Sequence, residues 1–212
     1  MENPVIIFGA NALGRTAKEI FESNQVVVYG FLDDNKKLHS TEVDDAVVLG
    51  STDDDGFLKL IGKKCEAFVA VDDNKVRRNL VKMLRDVRHV LPVNAIHQRA
   101  MLSPRSSIGY GNLFDAGFVT GPGCTIGSHG IFGAGGHIGA ECVIGDFVQV
   151  GAGAVINSGV TIEEDVFIGT GAVVVSGVTL EKGARIGAGS VVISTVKAGT
   201  TVFGNPAHPV KA

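Results

Sequence analysis

The chain has 212 residues, with 19 Lys and Arg against 22 Asp and Glu, a formal net charge of -3 and a pI near 6.1. It has no long basic run of the kind that tracks a phosphate backbone, so nucleic acid is not an expected partner. The opening MENPVIIFGANALG shows neither a basic n-region nor a small-residue cleavage site, and no apolar stretch approaches the roughly 18 residues of a membrane span, which predicts a cytoplasmic protein without membrane insertion.

Residues 1–92 read as alternating strands and helices: PVIIF, then TAKEIFES, then VVVYGFLDD, a later strand AFVAV and the helix NKVRRNLVKML. That order predicts a small α/β, Rossmann-like domain with a parallel sheet. The turn Gly9-Ala10-Asn11-Ala12-Leu13-Gly14 keeps the first and last glycines of a GxGxxG turn but has Asn11 at the middle one. Two readings stand: a tight strand-to-helix turn, or amides at a helix N-terminus that hold a phosphate. Asp33 and Asp34 end the second strand, either as a solvated turn or as acceptors for the sugar or base of a nucleotide.

Residues 93–212 read differently. In steps of six from Ile96, the first positions run Ile96, Leu102, Ile108, Phe114, Thr120, Ile126, Phe132, Ile138, Ile144, Val150, Ile156, Ile162, Ile168, Val174, Leu180 and Ile186, apolar in all but Thr120. With 45% hydrophobic residues overall, a phase unbroken over residues 96–191 is a structural period. The second position is often Gly, taken here as the permissive corner, and the fifth is often small, as at Cys124, Gly136, Cys142 and Ala154. A large inward residue, a small inward residue and a corner describe one side of a triangular parallel β-helix, with three hexads to a turn. The 29 glycines and the 6% aromatics fit such corners. Cys124 and Cys142 stand eighteen apart at the same repeat position, close enough for a disulfide. A reducing cytoplasm favours two buried thiols.

The order GA-turn, GFLDD, VAVDDNKVR, hexapeptide repeats and the tail Gly204-Asn205-Pro206-Ala207 resembles one family over the whole chain: the NeuD/PglD-like sugar acyltransferases, grouped with bacillosamine N-acetyltransferase and sialic-acid O-acetyltransferase. The resemblance implies that the β-helix is left-handed and forms a homotrimer. It implies acetyl-CoA as acyl donor in the groove between neighbouring helices, and a nucleotide-linked amino sugar on the first domain, to be N-acetylated for a surface glycan. Matched position by position, the sugar-nucleotide contacts fall on Ala10, Asn11, Ala12, Leu32, Asp33, Asp34 and Asp72. The CoA contacts fall on Gln149, Thr170 and Ala188, with the GNPA tail closing over the groove. Asp72 replaces a common Gly, and its charge beside a diphosphate departs from the usual UDP-sugar pattern.

Acetyl transfer needs a group that removes a proton from the nucleophile, and His suits this near neutral pH. The family carries it in a run like His-Asp/Glu-Cys-x-Ile-Gly. Here the run is Ala140-Glu141-Cys142-Val143-Ile144-Gly145, so the acid is kept and the base is not. Three explanations are open. His137 or, second, His129 substitutes, each otherwise an exposed polar side chain; or the proton leaves to Glu141 or water, with rate coming from positioning; or the chain is inactive, by nature or through an introduced alanine. Competing readings are a catalytically silent trimeric scaffold and a metal-dependent hydratase, for which a third convergent His is missing. Outward residues such as Phe147, Val155 and Phe167 are expected to drive trimer formation.

Overall fold

The computed structural model describes residues 3–210. The chain divides into two compact units, Met1–Gln98 and Arg99–Ala212.

In the first unit, β1 (Val5–Phe8), β2 (Val28–Leu32), β3 (Glu42–Val43), β4 (Ala46–Gly50) and β5 (Glu66–Val69) form one sheet in the order β3-β4-β2-β1-β5. All pairs are parallel except β3 with β4. β1 is buried throughout, as its run of Val and Ile predicts for a central parallel strand. Helix α1 (Ala12–Ser23) buries Ala17, Ile20 and Phe21, α2 is the short Asp55–Leu58, and α3 (Asn74–Arg88) buries Val81 and Leu84. The hairpin β3-β4 was not evident from the sequence, although its signal is there. Asp44 and Asp45 both take positive φ, 47° and 64°, as a tight two-residue turn demands. Because β2 lies on one side of β1 and β5 on the other, the strand order reverses at β1. Open α/β sheets bind ligands outside the carboxyl ends of their strands at such a point.

The second unit is a parallel β-helix of two-residue strands, with a three-residue strand at its end. Its first face stacks Ser107–Ile108, Thr125–Ile126, Val143–Ile144, Thr161–Ile162 and Thr179–Leu180. The second stacks Leu113–Phe114, Ile131–Phe132, Gln149–Val150, Phe167–Ile168, Arg185–Ile186 and Thr201–Phe203. The third stacks Val119–Thr120, His137–Ile138, Val155–Ile156, Val173–Val174 and Val191–Val192. Every register step is eighteen residues, except the last step of the second face. Each strand's second residue points inward, and from Phe114 onward those residues are buried. The hexad from Leu102 forms no such strand; Met101 makes only an isolated bridge to Val119, in a segment where Pro104 lacks an amide donor.

The corners correct one sequence expectation. The left-handed backbone falls on the fourth hexad position, every six residues from Gly111 to Gly189, and not on the second. Second-position glycines serve close approach instead: a Cβ on Gly139 would lie 2.6 Å from the Ser158 amide nitrogen in the next coil. Cys124 and Cys142 are free, buried thiols. Their Sγ atoms donate to the Gly139 and Asn157 carbonyls of the following coil, at 3.0 and 3.2 Å. Among the described residues no helix is long and apolar enough to cross a membrane.

Candidate active site

In the first unit the loops after β1, β2 and β5 meet at the carboxyl edge of the sheet. Both turn glycines have steric causes. Gly9 has φ 108°, and a Cβ there would lie 2.4 Å from the Ala70 carbonyl oxygen; one on Gly14 would lie 2.0 Å from the Gly9 oxygen. Asn11, at the middle glycine position of a GxGxxG turn, works as a cap and a tie. Its Oδ1 accepts from the Gly14 amide at 3.0 Å, and its Nδ2 donates to Ala70 O at 3.1 Å. Asp33 bridges two loops, accepting from the Ala10 amide through Oδ2 and from the Asn35 amide through Oδ1, both at 2.8 Å. Asp34 accepts from the Thr52 amide and hydroxyl at 2.9 and 2.8 Å. The two carboxylates therefore organise the rim of this edge. Leu32 is fully buried in the core and its carbonyl accepts from Gly9 N at 2.8 Å. Ala12, the first residue of α1, and Asp72, in the loop after β5, are exposed. The loop carrying Asp72 is held from below by buried Arg77, whose Nη1 donates to Val71 O at 2.5 Å.

On the β-helix, Gln149 lies in the outward row of the second face, and Thr170 and Ala188 stack on the edge between the second and third faces. A Cβ on Gly169 would sit 2.5 Å from Ala188 N, which shows how tightly these corners stack. The tail lies at the end of the same edge. The Phe203 ring packs on Gly187, Gly204 N donates to Ser190 Oγ at 3.2 Å, and Ala207 N donates to Val191 O at 2.8 Å.

His137 is exposed in the outward row of the third face, between Val119 and Val155. Ala140 and Glu141 follow on the edge between the third and first faces. The Ala140 amide donates to Ser158 Oγ at 3.2 Å, the Glu141 amide to Pro122 O at 2.9 Å, and the Glu141 side chain lies over Gly123. Cys142 turns inward; burial pushes its thiol above the ordinary range, which leaves it protonated and no nucleophile. His129 is not the exposed side chain expected. It is 8% exposed, on the edge between the first and second faces, with its ring 5.0 Å from that of Phe147. Phe147 is in turn only 5% exposed, so this chain's own His129 already covers it and it drives no assembly.

One signal was overlooked in the sequence. Between residues 111 and 189 the left-handed fourth position is Gly except at His129, Glu141, Phe147 and Asp165. For a side-chain-bearing residue that conformation costs about 1–2 kcal/mol, and such strain persists where the side chain is needed. At Glu141, φ is 59°. Glu141→Gly is therefore expected to leave the unfolding midpoint unchanged or raise it, while lowering CoA release at least tenfold. A lowered melting temperature with full activity would show that Glu141 serves the fold alone.

With this geometry described, comparison with known proteins gives a consistent answer. Residues 4–84 match the PglD N-terminal domain, and residues 159–194 match the bacterial transferase hexapeptide repeat. No curated protein matches. Among solved structures, PerB from Caulobacter crescentus, in complex with CoA and GDP-perosamine, is 27% identical over 100% of this chain and 99% of its own, with a TM-score of 0.91. A histidine-to-alanine variant of the Caulobacter GDP-perosamine N-acetyltransferase, also in complex with CoA and GDP-perosamine, matches at 27% identity over 100% and 99%, with a TM-score of 0.88. The acetyltransferase domain of PglB from Neisseria gonorrhoeae, in complex with acetyl coenzyme A, is 25% identical over 99% and 100%, with a TM-score of 0.88. The fold is thus an α/β Rossmann-like domain followed by a left-handed parallel β-helix, the architecture of hexapeptide sugar acyltransferases. Within that class the two matched segments, residues 4–84 and 159–194, are those of the NeuD/PglD-like family.

Proposed function

We propose that the chain is an N-acetyltransferase that moves the acetyl group of acetyl-CoA to the amine of a nucleotide-linked amino-deoxy sugar for a surface glycan, acting as a cytoplasmic homotrimer. The observation that carries this reading is likeness along the whole of both chains to PerB, an enzyme seen with CoA and GDP-perosamine. The amine attacks the thioester carbonyl, the C–S bond breaks, and the proton lost by the nitrogen is matched by one gained by the departing thiolate. Ala10, Asn11, Ala12, Asp33, Asp34 and Asp72, with the backbone at Leu32, form the sugar-nucleotide edge. Gln149, Thr170 and Ala188 hold the donor, Glu141 supplies the acid of the transfer corner, and His137 is the base. His137 is the one polar side chain in an outward row otherwise made of Val119, Val155, Val173 and Val191.

The matched donor residues and Glu141 stand on different edges of the prism, with a whole face between them. A second copy is needed to bring both to one groove. The outward rows favour this: the first face presents Ser107, Thr125, Val143, Thr161 and Thr179, polar but for Val143, whereas the third presents four valines beside His137 and the second presents Ile131 and Phe167 beside Gln149 and Arg185. Light scattering at micromolar concentration is expected to give a trimer; a monomer would remove the groove.

Isothermal titration with CoA and with GDP-, UDP- and dTDP-linked amino sugars tests the function. Binding of CoA and of one sugar is expected, and binding of neither leaves a scaffold. The tail gives a further check. Ending the chain after Val202 keeps the Ile186–Val202 pairing but removes Phe203 from Gly187 and the bonds of Gly204 and Ala207. CoA affinity is expected to fall with the β-helix still folded by circular dichroism; unchanged affinity would separate the tail from the donor groove.

A further inference from the structure

We infer that Arg185, held against the Phe167 ring, is the phosphate-binding residue of the acyl-donor groove. The inference rests on the assignment of Gln149, Thr170 and Ala188 to that groove. It comes from the register of the second face, where Gln149 pairs with Phe167 and Phe167 with Arg185, so the three side chains form one outward column. Arg185 is also three residues before Ala188, as Phe167 is before Thr170, so the strands carrying these two side chains run directly into the edge where both donor positions stack.

Charge separates Arg185 from its neighbours. Between residues 159 and 210 the Lys and Arg residues are Lys182, Arg185 and Lys197. Lys182 is held by Glu164, and Lys197 by Glu181 at 2.7 Å. Among the described residues no carboxylate pairs with Arg185. Its guanidinium carbon lies 4.8 Å from the centroid of the Phe167 ring. Stacking on an aromatic face restrains a long side chain without using its N–H donors. Those five donors in a planar fork match phosphate oxygens. The outward neighbours in the row, Ile131, Gln149, Phe167 and Thr201, include no acid that would compete for them. CoA carries a diphosphate and a 3′-phosphate, and a groove that binds it needs a cation free to meet one of them.

The test is isothermal titration of the full-length parent, Arg185→Gln, Arg185→Lys and Phe167→Leu with CoA and with 3′-dephospho-CoA. A charge-assisted contact of about 1.5 kcal/mol or more corresponds to at least a tenfold loss of CoA affinity in Arg185→Gln. Arg185→Lys is expected to keep part of it, and Phe167→Leu to lose about two- to fivefold. The parent's affinity is expected to fall with added salt, and that of Arg185→Gln to fall less. A loss seen with CoA alone places the guanidinium on the 3′-phosphate; a loss with both ligands places it on the diphosphate. Equal affinity of parent and Arg185→Gln for both ligands overturns the inference and leaves the donor groove standing. A parent that binds no CoA overturns the acyl-transfer reading itself. Dissociation of Arg185→Gln into monomers also overturns the inference, since the guanidinium would then be pairing with a second copy.

Discussion

In a His137→Ala background, replacing Ala140 by His is expected to raise CoA release with the cognate amino sugar by roughly 10²- to 10⁴-fold, the range of a positioned general base. Ala140 sits third in its hexad and is part-exposed, its amide is fixed on Ser158 Oγ, and the next residue holds a carboxylate in the strained left-handed conformation. That carboxylate would favour the imidazolium and so strengthen the base. The inward direction is already filled by Cys142, whose thiol donates to Asn157 O, so the new ring points outward without displacing core atoms. The measurement compares parent, Ala140→His, His137→Ala and the double variant. If His137 is the working base, His137→Ala falls by a similar factor and Ala140→His restores it in the double variant. A gain in Ala140→His with no loss in His137→Ala removes His137 from the mechanism. No change in either, with CoA and sugar both bound, means that positioning alone sets the rate.

The hexad phase was legible because an inward residue must be apolar in every coil, whoever the partner is. The corner was read two positions early. Glycine is abundant at both the second and fourth positions, and only the backbone distinguishes the two uses: room for the next coil at Gly139, and positive φ at Gly135. The same ambiguity hid Glu141, whose significance lies in standing where most hexads place Gly. In the first unit the GANALG turn was legible as a turn. Asn11 and Asp33, however, bond to Ala70 and Ala10, and the sequence does not reveal that these side chains tie the loops together. His129 and Phe147 were taken for free outward side chains since hexad position predicts direction; burial follows from what stacks eighteen residues away. The base is the least legible element, since the family's position holds Ala140 and His137 stands alone among outward valines.

Phe132→Ala is expected to be the most destabilising single change in the β-helix, at about 3–5 kcal/mol. The interior of the first coils is filled by three rings: Phe132 stacks on Phe114 with centroids 4.5 Å apart and planes 4° from parallel, and Phe118 tilts onto both at 5.6 and 5.3 Å. The small fifth positions are their complement. A Cβ on Gly130 would lie 2.6 Å from Phe132 Cε2, and one on Gly136 would lie 2.6 Å from Phe118 Cε2. Glycine there is set by ring volume, since interiors this dense accept neither a gap nor an added methyl without strain. Gly136→Ala should therefore be destabilising by about 1–3 kcal/mol through overpacking, a sign opposite to that for an ordinary glycine in a helix. A β-helix with a second folded unit does not unfold in one step, so a melting temperature alone would blur the effect. Hydrogen exchange reads it locally. In Phe132→Ala the amides of Leu113, Ile131 and Gln149, which donate across these coils to Gly130, Val148 and Val166, are expected to lose protection, while those of β1 keep theirs. Uniform loss over both units would mean that the ring stack supports the whole chain rather than its own coils alone.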